Sequence, residues 1–470
     1  MSELFGRFMR APQAESYDLI VLGSGPGGQR AAIQAAKLGK TVALIEKQRI
    51  GGACLHLGTI PSKALREAAL VAVPDGGSIL RPVMARTHRV ISEECTIIEE
   101  ALGRNHVDFL SGVGAFADPH TVIVTNDVGC FKIRGSHIVI AVGTRPRRPP
   151  ELDFDDEILF DSDSILDLDT QPRSLLVLGA GVIGCEYASI FARMGIPVTL
   201  VESRTQLLSS IDPEIVATLI TQFEKSGITV KVGAKFHSVK KVVSSEGRPV
   251  AAVELSDASG KWLEHYDAAL YCLGRTGNHE GLHLDALDLK VDERGTLAVN
   301  RNYQTTWPHI YAVGDIIGAP ALAASSAEQG RLAALHAFTG QQVEFPDTFP
   351  YGIYTIPEIS SVGFHEAQLA NRGIKYVIGK AHYNELARGK MIGDDHGFLK
   401  LIVHANTHRV VGIHVIGTSA TELVHIGQVA IAFGASVEFF VDNVFNYPTL
   451  AEAYKVAAYN AINQLKALES

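Results

Sequence analysis

The sequence predicts an α/β protein with two Rossmann-like dinucleotide-binding domains followed by an α+β domain, and three observations carry that prediction. A strand, glycine turn, helix and strand succeed one another over residues 17–46. The same order returns over 174–202. After about residue 346 the strands FLKLIV and VVGIHVI precede helical stretches at 419–434 and 449–466. The first copy runs YDLIVL, GSGPGG, QRAAIQAAKLG, TVALIE, and the second runs SLLVLG, GAGVIG, CEYASIFARMG, PVTLVE. Gly23, Gly25 and Gly28 supply the tight turn, the approach of backbone to a pyrophosphate, and the contact of helix with strand; Gly179, Gly181 and Gly184 repeat them. The helix N-terminus behind each turn then holds the anion. Glu46 lies 23 residues after Gly23 (46 minus 23), and Glu202 follows Gly179 by the same interval, where a carboxylate accepts hydrogen bonds from a ribose diol. A lone glycine string is as readily a tight turn, but the paired copies in one βαβ setting argue for nucleotide sites.

Between the copies lie β-prone stretches such as TVIVT and SHIVIAVG, then TRPRRPPELDFDD, whose prolines and charges suit a linker and place a boundary near residue 150. Alternating segments ITVKV, VAAVEL and DAALYCLG between 228 and 273 read as a β-rich finish to the second nucleotide domain. No solenoid period or low-complexity segment interrupts the pattern.

At 470 residues the chain exceeds what one compact core accommodates. Its 46% hydrophobic and 20% charged residues and 44 glycines are those of a folded α/β protein with many tight turns. A formal charge of -9 leaves no field to attract nucleic acid or anionic lipid. The opening MSELFGRFMRAPQAES lacks the apolar run of a signal peptide, and no segment approaches a membrane span, so a cytoplasmic protein is expected. Five widely spaced cysteines without a C-x-x-C pair read as reduced thiols, and His404, His414 and His425 lack metal spacing.

Two dinucleotide sites suit hydride exchange between a tightly bound flavin and a visiting nicotinamide. The first fingerprint, GGACLHLGTIPSKALRE at 51–67, IAVGTRP at 140–146 and HIYAVGDIIG at 309–318 resemble the dihydrolipoamide dehydrogenase and glutathione reductase family over nearly the whole chain. The resemblance implies FAD held by residues 1–150 and 281–345, a nicotinamide domain at 151–280 and a dimerisation domain at 346–470. It places the flavin nucleotide along Gly23, Gly25, Gly27, Gly28, Glu46, Lys47, Gly52, Cys54, Thr59, Lys63, Ala115, Ala141, Gly143, Gly314, Asp315, Leu322 and Ala323. The nicotinamide nucleotide would lie along Gly179, Gly181, Ile183, Gly184, Glu202, Arg204, Gly274, Arg275 and Asn278. Lys63 and Glu186 correspond to the family's ion pair near the flavin N5, where the ammonium stabilises negative charge on the reduced ring. Tyr447 and Glu452 would stand beside the flavin of a partner subunit in a homodimer or larger assembly.

Two departures from that family are informative. Members that reduce disulfides carry two cysteines flanking four residues, whereas here Cys54 is followed, after LHLG, by Thr59. A hydroxyl forms neither a disulfide nor a charge-transfer thiolate, so no dithiol relay operates there. Cys54 is then a packed, inert thiol or a single-thiol sulfenic site. The family's His-Pro-Thr run followed by an acid reads Tyr447, Pro448, Thr449, Leu450, Ala451, Glu452. The acid remains, but a phenol, with an ordinary pKa of about 10, does not shuttle a proton at neutral pH as imidazole does. With GTIPSKALR and FNYPTLAEAY as they stand, the chain is similar to the soluble flavin-dependent NAD(P) transhydrogenases. The resemblance implies ping-pong hydride transfer between NADP(H) and NAD(H) through FAD. Glu202 favours a ribose diol; Arg204 either takes a 2′-phosphate or is a solvated side chain. The rival readings are an NAD(P)H diaphorase reducing quinone or oxygen, and a non-catalytic nucleotide sensor.

Overall fold

The computed structural model describes residues 11–72 and 79–469; the stretch 1–10, read above only for its lack of an apolar run, lies outside them. The chain divides into two compact units. One comprises residues 1–151, 161–169 and 273–345, the other 152–160, 170–272 and 346–470.

In the first unit β1 (Ser16–Leu22), α1 (Pro26–Lys37) and β2 (Val42–Glu46) form the first βαβ element. β1 pairs in parallel with β2, Leu22 opposite Ile45, and on its other side with Gly129–Ile140, so its core residues Leu19, Ile20 and Val21 are fully buried. Asp108–Ser111 extends the sheet beyond β2, while Thr121–Asn126 and Val113–Asp118 continue it antiparallel beyond Gly129–Ile140. Ile310–Ala312 returns from far along the chain to pair in parallel with Gly129–Ile140. Helix Ala323–Thr339 then lies on α1 at backbone contact: a Cβ on Gly330 would stand 2.0 Å from the Gly27 carbonyl oxygen. Only glycine permits that approach, which explains a helix-interior glycine otherwise unfavourable by about 1 kcal/mol.

In the second unit β3 (Leu175–Leu178), α2 (Val182–Arg193) and β4 (Val198–Glu202) repeat the element. Their sheet runs Ile228–Val232, β4, β3, Ala268–Tyr271, Leu159–Asp161, parallel across its first four strands, with a three-stranded antiparallel sheet from 235 to 266 beside it. The C-terminal segment is a five-stranded sheet, with Phe398–His404 and Val410–Ile416 near its centre, backed by helices Ala420–Ala432 and Glu452–Glu469.

Two expectations are corrected. The presumed linker begins as a strand, Thr144–Pro146, paired antiparallel with Arg275–Gly277, and Asn278 donates its amide to the Gly143 carbonyl at 3.0 Å. These bonds draw 273–280 into the first unit, so the second nucleotide domain stops short of residue 280. The 25-residue helix Leu80–Arg104 was not anticipated.

A buried cation joins the nucleotide-binding and C-terminal halves of the second unit. Lys400, on a sheet interior, donates to Asp212 at 2.9 Å and Glu214 at 3.3 Å and contacts Glu366, while Lys380 donates to Glu214 at 2.5 Å. Asp212 also caps helix Pro213–Lys225, accepting from the Glu214 and Ile215 amides. Burial pushes both carboxyls up, but Lys400 on Asp212, and Lys380 and Lys400 on Glu214, outweigh it and hold both below their ordinary values. Burial opposes the Lys400 charge, but Asp212 and Glu366 push it up to about 12. The depressed carboxyls contribute stability that is whole above the ordinary carboxylate range and lost as pH falls through it and below; the raised lysine contributes stability lost only as pH climbs through about 12. Lys400→Ala is expected to reduce the urea-unfolding free energy at pH 7 by about 3–5 kcal/mol, because it strands a buried carboxylate. The deficit should shrink below about pH 4 as the carboxyls protonate in both proteins; an equal deficit at pH 3 and 7 would refute the ionic origin.

Candidate active site

The first cradle starts where β1 ends. Gly23 turns with φ 101°, and a Cβ on Gly28 would lie 1.8 Å from the Gly23 carbonyl oxygen, so α1 must begin against the strand end. No side chain caps α1 at Gly25, and a Cβ there would meet nothing within 4 Å. Unclaimed helix-start amides facing open space are what a pyrophosphate needs. Glu46 is buried, accepting from the Ser24 amide at 2.9 Å and hydroxyl at 2.8 Å on one oxygen and from the Gln48 amide at 2.9 Å on the other. Gly52, at φ +60°, passes close enough that its Cβ would sit 3.1 Å from the Gly25 nitrogen, and this brings helix Gly52–His56, with Cys54, to the turn.

Cys54 faces a hydroxyl. Burial pushes its thiol up, the Thr59 side chain hydrogen-bonds it, and the charges of Asp315 and Lys63 act on it in opposite senses. All five cysteines are free thiols. Lys63, on helix Thr59–Val71, has its ammonium 3.3 Å from the Ser62 hydroxyl. Asp315 follows Gly314, whose φ is +78° and whose amide donates to Gln329 at 2.8 Å. Thr144 and Ser326 hydroxyls donate to the Asp315 carboxylate at 3.3 and 3.4 Å, and Arg275 clamps Thr144 through its hydroxyl and carbonyl, both at 2.9 Å.

The second cradle repeats the first. Gly179 turns with φ 101°, a Cβ on Gly184 would lie 1.9 Å from its carbonyl oxygen, and α2 starts at Gly181 with neither a side-chain cap nor an obstruction within 4 Å. The adjacent helix Pro213–Lys225, by contrast, has its first amides taken by the Asp212 carboxylate. Glu202 accepts from the Ala180 and Arg204 amides, each at 3.0 Å, and its carboxylate is gripped by the Arg204 guanidinium at 3.0 Å on both oxygens. Burial opposes its charge, but Arg204 and the two amides outweigh burial and hold the carboxyl below its ordinary value. Glu186 is buried and accepts the Tyr354 amide at 2.8 Å, and Ser189 accepts the Ile356 amide at 3.1 Å.

The sequence model of pyridine nucleotide-disulphide oxidoreductases matches residues 17–330, and that of their dimerisation domain matches 349–458. The chain belongs to this family. It is 46% identical over 468 residues to a soluble pyridine nucleotide transhydrogenase of Mycobacterium bovis, covering 96% of this chain and 98% of that one. A protein of the same description from Pseudomonas entomophila is 42% identical, covering 96% and 99%. Among solved structures, the HOCl-induced flavoprotein disulfide reductase of Escherichia coli superposes with TM-score 0.85 at 25% identity, covering 94% of this chain and 99% of that one. LpdA from Mycobacterium tuberculosis gives 0.85 at 26%, covering 95% and 99%. A family flavoprotein binds FAD, and the first cradle fits it: helix-start amides without a side-chain cap, a backbone-held carboxylate, and Asp315 held by the Thr144 and Ser326 hydroxyls. The dimerisation segment exposes Phe433 at 87%, Val444 at 94% and Tyr447 at 72%, as expected of the homo-oligomer that this domain forms.

The other expected site residues fall as follows. Ala141 presents its carbonyl to Gly23, Gly143 accepts the Asn278 amide, Leu322 and Ala323 open helix Ala323–Thr339, and Ala115 is buried in its strand opposite Ile123. Lys47 is exposed and Ile183 half-buried on α2. Gly274, Arg275 and Asn278 lie in the first unit and not in the second nucleotide fold as expected; Asn278 spends its side chain on the Val142 carbonyl at 3.0 Å and on Arg145 at 3.2 Å. Glu452 begins the last helix with one buried oxygen lacking a hydrogen-bond partner among the described residues. The structure adds Ser24, Thr144 and Gln329 to the site; Ser24 stands in the GSGPGG turn and Thr144 in the IAVGTRP run, while no local motif marks Gln329. Thr59→Cys is expected to restore a disulfide with Cys54: denatured, air-oxidised protein should titrate with four free thiols, whereas the wild type has five. Six thiols in the variant would show that the two positions do not meet.

Proposed function

We propose that the chain moves hydride from NADPH to NAD, giving NADP and NADH, by a ping-pong route, or the reverse. The observation that carries this is the Thr59 hydroxyl on Cys54, where a disulfide reductase needs a second sulfur. The names of the transhydrogenase relatives agree with it. FAD, when bound, supplies the two-electron carrier between one nicotinamide and the next.

The protein's part is positioning and charge. The α1 amides and Glu46 would hold the flavin pyrophosphate and adenosine ribose, and Gly314 and Asp315 its ribityl region. Lys63 would place a cation where negative charge accumulates on reduction. The α2 amides and Glu202 would receive each nicotinamide nucleotide in turn, and Glu186, anchored by the Tyr354 amide, would help order that side of the reaction centre. Hydride transfer between nicotinamides leaves no proton for a base to carry, which suits tyrosine at 447 and leaves Tyr447 and Glu452 to shape the site. The relatives' description as soluble, together with the absence of any described helix long and apolar enough to cross a membrane, supports a cytoplasmic location.

Anaerobic NADPH should bleach the yellow protein, and NAD should restore the colour; double-reciprocal plots should be parallel. Lipoamide should not be turned over. A quinone kcat/KM far above that for hydride exchange, or measurable lipoamide reduction, would overturn the reading.

A further inference from the structure

The two fingerprints form an internal control for nucleotide specificity. In both, the strand-end carboxylate accepts the amide of the second residue of the turn and the amide two residues beyond itself, at 2.9 Å in the first copy and 3.0 Å in the second. The copies differ in what else touches the carboxylate. Glu46 is followed by Lys47 and Gln48 and takes only the Ser24 hydroxyl in addition. Glu202 is followed by Ser203, whose hydroxyl donates to it at 3.4 Å, and by Arg204, which folds back over it with Nε and Nη2 on separate oxygens at 3.0 Å, while Nη1 donates to the Ser209 hydroxyl at 3.2 Å. The Arg204 side chain is 55% exposed and that of Glu202 only 4%. Ser203 and Ser209 are exposed beside it.

The first copy suits a nucleotide that always carries a plain ribose diol. The second, on the function proposed above, must accept a diol and a 2′-phosphate alternately. A bare carboxylate repels the phosphate, and a bare arginine wastes the diol. We infer that the Glu202–Arg204 pair is an exchangeable clamp, in which Arg204 leaves Glu202 for the 2′-phosphate of NADP and returns when NAD is bound. The exchange is feasible because Glu202 keeps both backbone amides when the guanidinium departs, so no buried charge is stranded. Arg204 swings from an exposed position, and its planar fork matches phosphate as well as carboxylate. Ser203 and Ser209 stand where hydroxyls can bond the same phosphate. With NAD, the ribose hydroxyls donate to Glu202 in place of guanidinium bonds, and Arg204 stays beside the carboxylate as a neighbouring charge.

The test uses flavin-loaded protein and calorimetric binding of two fragments, 5′-AMP and adenosine 2′,5′-bisphosphate, so that it does not depend on turnover. Arg204→Gln, which copies the first fingerprint's Gln48, should weaken the bisphosphate by about tenfold or more and change 5′-AMP by less than about threefold. Arg204→Lys should fall between Gln and wild type for the bisphosphate, because charge remains and the fork is lost. Glu202→Ala should tighten the bisphosphate relative to 5′-AMP. Equal weakening of both fragments by Arg204→Gln would reduce Arg204 to a structural brace, and no change in either would place the phosphate elsewhere; both results overturn the clamp. If wild-type protein binds 5′-AMP but not the bisphosphate at all, the clamp fails together with NADP use. Bisphosphate binding that is indifferent to residue 204 refutes the clamp and leaves the transhydrogenase reading intact.

Discussion

The contact between a helix glycine and a strand-end carbonyl governs this protein. At Gly28 and again at Gly184 a single added carbon would lie within 2 Å of a main-chain oxygen, at Gly23 and Gly179 respectively. Because nothing larger than hydrogen fits, each helix is fixed to its strand at one point and with one direction, and its first amides are delivered to the end of the sheet. The carboxylate at the end of the next strand is fixed by the same turn, since it accepts an amide belonging to it. An uncapped helix start and a backbone-held carboxylate thus come from one steric restriction, used twice.

Around the first seat, side chains from distant parts of the chain converge. Thr144 is bonded to both Arg275 and Asp315, and Gln329 to the amide before Asp315. The cysteine in this setting meets a hydroxyl, and burial keeps it a neutral thiol. On the function proposed above, chemistry there falls to the bound carrier, and the protein's part is to hold shape and charge. In the second unit, the buried Lys400 cluster fastens the C-terminal sheet to the capped helix Pro213–Lys225 beside the nucleotide fold, an electrostatic keystone added to the glycine contact there.

How far the sequence could be read follows from the range of each interaction. Both βαβ elements were legible because strand, turn, helix and acid lie within about thirty residues and obey one spacing rule. The missing sulfur at Thr59 was legible for the same reason, five residues from Cys54. The strand Thr144–Pro146 reads as a linker in sequence because its partner is more than a hundred residues away and its prolines signal a loop. The Lys400 network left no pattern, since its four acidic and basic partners come from three segments. Sequence leaves Arg204 as either a 2′-phosphate ligand or a solvated side chain; the structure shows a third arrangement, an ion pair with Glu202.

The contact between Gly27 and Gly330 also bears on the order in which the protein is made. A ribosome releases the first glycine turn early, but Ile310–Ala312, Asp315 and the helix that lies on α1 emerge some three hundred residues later. The nascent N-terminal half therefore waits with an unfinished sheet flank and an uncovered helix while the whole second fingerprint is synthesised. Folding of the second nucleotide fold as an insertion within the first is built into the chain order, and the exposed flank is an aggregation hazard for as long as that interval lasts.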